Sequence, residues 1–176
     1  MNSIAQSGIV AAESKVEAPS RHPLTVSEPA TLVEVFEYVA RVHQRPDTLN
    51  YKHQGRWVSI SADEMLERAR HIAGGLYSLG VRRGDRVAIL SESRAEWTLT
   101  DAGCIFLGAI DVPIYPTLTS PQVRYILKDS GARVLVIQNQ EKFLQIREGL
   151  SECPAVENVV LLEQPSSQIS DSMSLA

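Results

Sequence analysis

Two short runs constrain this chain more than any other feature: Val87-Ala-Ile-Leu90 and Val134-Leu-Val-Ile137. Neither alternates apolar with polar residues. A strand with one wet face shows that alternation, so an unbroken aliphatic run predicts a strand covered on both faces. Ala109-Ile-Asp-Val-Pro-Ile114 predicts a further strand, with Pro113 near its end because proline cannot donate to a ladder. Val159-Val-Leu-Leu162 predicts a fourth. Amphipathic or apolar segments lie between them: about Ala95 to Leu107, with the hydroxyls of Ser91 and Ser93 expected to cap it; then a helix with Ser120 as the expected cap, Pro121 at its first position and Gly131 at its end; then Glu141 to Leu150. Strands alternating with helices make βαβ crossovers, right-handed by default, and a parallel sheet. The expected fold class is α/β, with a parallel-sheet βαβ core.

The residues before that core predict a helix, a β-hairpin and a second helix. Thr31-x-x-Glu34 reads as a capping box, and Leu32, Val35, Phe36 and Val39 form a stripe expected to face the core. Tyr51 and Trp57 flank Gln54-Gly55, the pattern of a tight antiparallel turn. Ser61-x-x-Glu64 is a second capping box, opening a helix with Met65, Leu66, Ala69, Ile72, Ala73 and Leu76 on one face. Gly74-Gly75 inside that helix costs about 1 kcal/mol per glycine relative to alanine, which a close helix–sheet contact would explain. Gly80 is free to take the left-handed conformation that closes a helix. Arg83-Gly84-Asp85 reads as a turn into the first core strand; its match to an integrin-binding tripeptide carries no weight without a secretory signal.

Three regions follow: a leader over residues 1–29, rich in Ser, Ala and Glu and expected to be disordered; an ordered unit over 30–163; and an irregular, Ser-rich tail over 164–176, read as a truncation. The chain has 176 residues, enough for one domain with a substantial core. A net charge of −4 argues against a nucleic-acid grip. Cys104 and Cys153 make neither a disulfide framework nor a metal site, and Cys104 sits in an apolar helix as a core residue would. No apolar run approaches the ~20 residues of a membrane span, and the amino terminus lacks the marks of a signal peptide. A cytoplasmic location is the expectation.

In an open parallel sheet, ligands favour the crevice beyond the carboxyl ends of the strands. Those ends carry Ser91-Glu92-Ser93-Arg94, Tyr115-Pro116-Thr117 and Gln138-Asn139. Arg94 is the candidate for an anion and Tyr115 for an apolar substrate, against the plainer reading of these residues as helix caps and loop polarity. The sequence has no G-x-G-x-x-G and no G-x-x-x-x-G-K-[ST] phosphate loop. His22, His43, His53 and His71 are scattered without ligand spacing. Composition and spacing alone therefore reach an α/β domain in which no catalytic, cofactor-binding or metal residue is assigned.

Four ordered blocks go further. Leu79-Gly-Val-Arg-Arg-Gly-Asp-Arg-Val-Ala-Ile89, Glu96-Trp97, Gly108-Ala-Ile-Asp-Val-Pro-Ile-Tyr-Pro-Thr-Leu-Thr-Ser-Pro-Gln122 and Tyr125-Ile-Leu-Lys-Asp-Ser130 resemble the AMP-forming acyl-CoA synthetases. The Val-Pro-Ile-Tyr-Pro-Thr-Leu-Thr wording resembles the long-chain fatty acid–CoA ligase branch. The likeness covers about Thr31 to Leu162 and implies part of the amino-terminal domain of such an enzyme. It implies a reaction in which a fatty acid and ATP give an acyl-adenylate and pyrophosphate, after which CoA displaces AMP. ATP, Mg²⁺ and CoA are implied for a full-length member. The family's phosphate loop and later motifs have no counterpart here, so none of the three is expected to bind this chain alone, and no catalytic residue is carried over. Fatty acid is the implied substrate, met through the rest of the protein. A homodimer and peripheral membrane association are expected by family analogy. Two alternatives stay open: part of another adenylate-forming enzyme, such as a fatty acyl–AMP ligase or an adenylation domain, and a non-catalytic α/β binding module.

Overall fold

A computed structural model of the protein describes residues 29–163. All but one residue of the expected leader, the whole of the expected tail, and His22 lie outside them.

The aliphatic runs are strands β3 (Arg86–Leu90) and β5 (Val134–Ile137), and they pair in parallel from Val87 against Val134 to Leu90 against Ile137. β4 (Ile110–Ile114) lies outside β3 and β6 (Asn158–Leu161) outside β5, giving the order β4-β3-β5-β6. Position in the sheet accounts for the polarity of each strand. β5 and the Val87–Leu90 run of β3 are buried throughout, whereas the flanking strands keep partial exposure and tolerate Asp111, Pro113 and Asn158. Pro113 stands opposite Ile89 one residue before the end of β4, an edge strand, as a residue without an amide proton should.

Three crossovers build this order. Helix α3 (Ala95–Leu107) joins β3 to its neighbour β4; α4 (Ser120–Ser130) carries the chain back past β3 to β5; α5 (Gln140–Leu150) joins β5 to β6. The direction of winding reverses between β3 and β5, so right-handed crossovers put α3 on one face and α4 and α5 on the other. The strand period of two divides the core accordingly. Ala88, Leu90, Leu135 and Ile137 pack against Val123 and Leu127 of α4 and Ile146 and Leu150 of α5. Val87, Val134 and Val136 point the opposite way, against Cys104 of α3 and Leu76 of α2 (Ala62–Ser78). The Schellman-type ending of α2 and the turn at Gly84 (φ +85°) set the chain up to enter β3.

The lead-in packs on the outside of α3. Hairpin β1 (Leu49–His53) and β2 (Arg56–Ile60) turns at Gln54-Gly55 with both residues at positive φ, as a type I′ turn requires. Ile60, Met65, Ala69, Leu99 and Ala102 form a cluster with Phe36 of α1 (Leu32–His43), whose ring centroid is 6.2 Å from that of Phe106.

Several local expectations are corrected. The α1 stripe meets the core only at Phe36: Leu32 is 62% exposed, Val35 and Val39 are also exposed, and the one residue the helix buries fully is Ala40, outside the stripe. At Thr31 the cap accepts from the Glu34 amide, but Glu34 Oε2 accepts from Ala30 N–H at 2.6 Å, one residue earlier than a capping box. Helix α4 is capped by Thr119, not Ser120. Gln122 Oε1 accepts the Thr119 N–H at 2.9 Å, while the Ser120 hydroxyl donates to the Gln145 carbonyl at 2.6 Å and ties α4 to α5. Ser91 and Ser93 do not cap α3. Its N-cap is Arg94 without a side-chain bond, because Ser91 donates instead to the Glu92 carbonyl.

The glycine pair gives the largest correction. A Cβ built on Gly74 or Gly75 meets nothing within 4 Å among the described residues, so no helix–sheet contact explains them. The close approach is elsewhere, at Gly103 of α3. A Cβ there would stand 2.5 Å from Ile72 Cγ2 and 2.9 Å from Ile72 Cβ on α2. Ile72 is branched at the atom that collides, so it cannot swing away, and the helices would have to separate. Gly103→Ala is therefore expected to lower unfolding stability by about 1–3 kcal/mol despite gaining roughly 1 kcal/mol of helix propensity. A urea midpoint at or above that of the parent would refute the contact.

Candidate functional site

The crevice expected to hold a ligand lies beyond β3 and β5, where the crossovers diverge to opposite faces. Its floor is made by the chain itself. The Gln138 amide donates to the Leu90 carbonyl at 3.0 Å, and the Glu92 amide donates to Gln138 Oε1 at 3.1 Å. Asn139 is the N-cap of α5, its side chain accepting from the Lys142 amide at 3.0 Å. Lys142 Nζ in turn donates to the Pro116 carbonyl at 3.0 Å, fastening the turn after β4 to α5.

Arg94, the candidate for an anion, is at the crevice but already engaged. Its Nε donates to Glu96 Oε2 at 2.8 Å, and its Nη1 donates to Glu163 Oε1, just past β6. Its side chain is 26% exposed. The hydrogen bond from Arg94 holds the Glu96 carboxyl below the usual carboxylate range, against the opposing pull of partial burial. Two carboxylates around one guanidinium leave a net negative charge, which disfavours a phosphate or a fatty carboxylate. Tyr115 is 77% exposed in the turn after β4, so its ring stands in solvent and not in a wall. Arg94 therefore ties the start of α3 to the end of β6, and Tyr115 is an exposed loop residue, nearer the plainer reading for both.

At the opposite end of the sheet, Arg133 bridges Asp85 at 2.8 Å and Glu157 at 2.6 Å and donates to the Gly80 carbonyl at 3.0 Å. The Asp85 carboxyl also accepts from the Arg82 amide at 2.8 Å, and that bond is the main cause of its lowered pKa. This network links the end of α2 to β3, β5 and the entry to β6, with no free group left for chemistry. The described histidines, His43, His53 and His71, stay apart on exposed positions of α1, β1 and α2, and no group of three metal-capable side chains occurs among the described residues. No described helix is long and apolar enough to cross a membrane.

Residues 37–174 match the family model described as "AMP-binding enzyme". The chain belongs to the AMP-binding enzyme family. It is 36% identical over 143 residues to the long-chain-fatty-acid–CoA ligase FadD15 of Mycobacterium tuberculosis, covering 78% of this chain and 24% of that protein. Among solved structures it is similar to the anthranilate CoA ligase AuaEII in complex with anthranoyl-AMP, with 31% identity, a TM-score of 0.65, and cover of 74% of this chain and 24% of that one. It is also similar to a putative long-chain-fatty-acid CoA ligase of Rhodopseudomonas palustris, with 25% identity, a TM-score of 0.66, and cover of 78% and 34%. The chain thus spans about a quarter of the length of the curated relatives it matches.

The described residues of this AMP-binding family member do not fit a bound nucleotide. A phosphate cradle needs an uncommitted cation beside its backbone amides, and Arg94 and Lys142 at the crevice are held by Glu96, Glu163 and the Pro116 carbonyl. Mg²⁺ would need a cluster of oxygen ligands, and the described acidic residues form none.

Two titratable groups of the scaffold are shifted from their ordinary values. Burial pushes the Cys104 thiol up to about 12, with Asp111 and Asp101 adding to it, so it is a packed side chain and not a nucleophile. Burial and the neighbouring Asp111 charge raise the Asp101 carboxyl above the ordinary range, with no cation opposing them. A carboxyl raised on folding binds its proton more tightly in the native state, so stability falls as pH rises above about 3.9, the unfolded value. Asp101→Asn is expected to raise the melting temperature at pH 7, with the gain vanishing below about pH 3.5, where the carboxyl is protonated in both states. An equal gain at both pH values would show that ionisation of Asp101 is not the cause.

Proposed function

We propose that this chain is the amino-terminal part of an AMP-forming long-chain fatty acid–CoA ligase, with residues 30–163 forming a piece of its larger amino-terminal domain. The observation that carries this is the 36% identity to FadD15, a long-chain-fatty-acid–CoA ligase, over 143 residues in one ordered alignment. In the proposed reaction the fatty carboxylate attacks the α-phosphorus of ATP and expels pyrophosphate. The CoA thiolate then attacks the acyl carbon of the adenylate and AMP leaves. This chain contributes the sheet and crossovers on which those sites are mounted. A committed Arg94 and a crevice with excess carboxylate support an inert scaffold when the chain stands alone. Cytoplasmic location, a homodimer and peripheral attachment to a membrane belong to the same reading by family analogy.

A second reading has its own support. At 31% identity, AuaEII is an anthranilate CoA ligase, so an aryl acid in place of a fatty acid is compatible with the same scaffold. ATP–pyrophosphate exchange separates these. The isolated chain is expected to give background exchange with palmitate, and palmitate-dependent exchange above background would overturn its inertness. Exchange by a longer form of the protein with anthranilate and not palmitate would replace the first reading by the second.

A further inference from the structure

The β1–β2 hairpin divides its side chains by the strand period of two. Leu49, Tyr51 and Ile60 turn inward to the cluster that holds Phe36 and Leu99. Asn50, Lys52, Trp57 and Ser59 take the alternate positions and are exposed. Asn50 and Ser59 suit a wet face, and the serine hydroxyl donates to Asn50 Oδ1 at 2.7 Å. Trp57 does not suit it. It is 70% exposed, although Lys52 Nζ lies 5.3 Å from its ring centroid across the strand pair. That cation–π contact steadies the ring without covering it.

The charge at the same tip is one-sided. Residues 48–60 include Lys52, His53 and Arg56 but no Asp or Glu, in a chain of net charge −4. The acid just before them, Asp47, is held by Arg45 at 3.1 Å. Across the cleft beside β1 the facing acid is Glu96, held by Arg94 at 2.8 Å. Neither Lys52 nor Arg56 enters an ion pair among the described residues. The register sets Lys52 opposite Trp57 and His53 opposite Arg56, so the four occupy the two rungs next to the turn at Gln54-Gly55.

These residues and their depth fit one kind of surface. Trp57 lies two residues from Gly55, about 7 Å along the strand. Interfacial elements enter a bilayer by roughly 5–10 Å, the layer where indole rings settle and anionic headgroups meet Lys and Arg. Charge beyond about 8 Å is screened at physiological salt, so the tip is governed by its own cations and not by the net charge of the chain. Two cations are too few for a nucleic-acid grip, which neutralises several phosphates along a track.

We propose that the hairpin tip, Lys52 to Trp57, docks reversibly on an anionic lipid bilayer, with Trp57 in the headgroup layer and Lys52 and Arg56 on lipid phosphates. This rests on the membrane attachment in the proposed function and gives it a surface; it does not depend on which acid is activated.

The test titrates the full 176-residue chain with vesicles of phosphatidylglycerol or of phosphatidylcholine. Partition is read by co-sedimentation and, in Trp97→Phe, by the emission of Trp57, the one tryptophan left. Partition onto phosphatidylglycerol is expected to exceed that onto phosphatidylcholine and to weaken with salt, and the Trp57 emission to shift to the blue. Lys52→Gln and Arg56→Gln are each expected to lower partition about fivefold, the equivalent of about 1 kcal/mol per cation near an anionic surface. Trp57→Ala is expected to lower it at least as much. All three positions are exposed, so far-ultraviolet circular dichroism is expected to match the parent. Equal partition on the two lipids or an unshifted emission overturns the proposal. Partition that ignores all three substitutions also overturns it, while leaving attachment through another surface. An equal shift with inorganic phosphate or a single-stranded oligonucleotide makes the tip a phosphate or nucleic-acid site and overturns it. So does Trp57 shielded from acrylamide without lipid in a longer form of the protein, since polypeptide then covers the ring. A longer form that gives no palmitate-dependent exchange overturns the ligase reading and leaves the tip standing.

Discussion

Burial of β3 and β5 on both faces is the constraint from which the rest of this structure follows. Eight aliphatic residues, Val87–Leu90 and Val134–Ile137, cannot face water on either side, so helices must cover both. Covering both faces with right-handed crossovers requires the winding to reverse, and the reversal places β4 and β6 outside. The α2–α3 contact is set by the same demand. Both helices must lie on one face, and Gly103 lets them come close enough for Ile72 to fill the space where a side chain would stand.

The place where open α/β sheets take ligands is occupied here by fastening. Arg94 between Glu96 and Glu163, Gln138 against Glu92, and Lys142 on the Pro116 carbonyl all tie one strand end or loop to the next. Each bond satisfies a polar group at the strand ends. Those bonds support the proposed role of this segment as scaffold.

Apolar surface left open follows a pattern of its own. The α1 stripe of Leu32, Val35 and Val39, the groove along β6 and the bare backbone at Gly75 lie on the lead-in and α2 side, while Tyr125 of α4 and Leu144 of α5 are exposed on the other. Leaving aliphatic side chains in water forgoes roughly 25 cal/mol for each Å² not buried.

Elements with strong local signals were legible in the sequence. The aliphatic runs gave strands, Gln54-Gly55 gave the turn, Ser61 gave a cap, and four ordered blocks gave the family, because each is decided by neighbours within a few residues. Caps that depend on competition were not. Ser120 is drawn to Gln145, 25 residues away, and Ser91 to its own loop, so a serine before a helix did not reveal its role. The α1 stripe had the right period for a core face, but a period states only that one side is apolar, not what meets it. The engagement of Arg94 by Glu163 joins residues 69 apart, and no spacing rule contains that distance. The closest helix contact fell on Gly103 and not on Gly74 or Gly75, since a glycine in sequence marks freedom of approach and only the packed helices determine where the approach occurs.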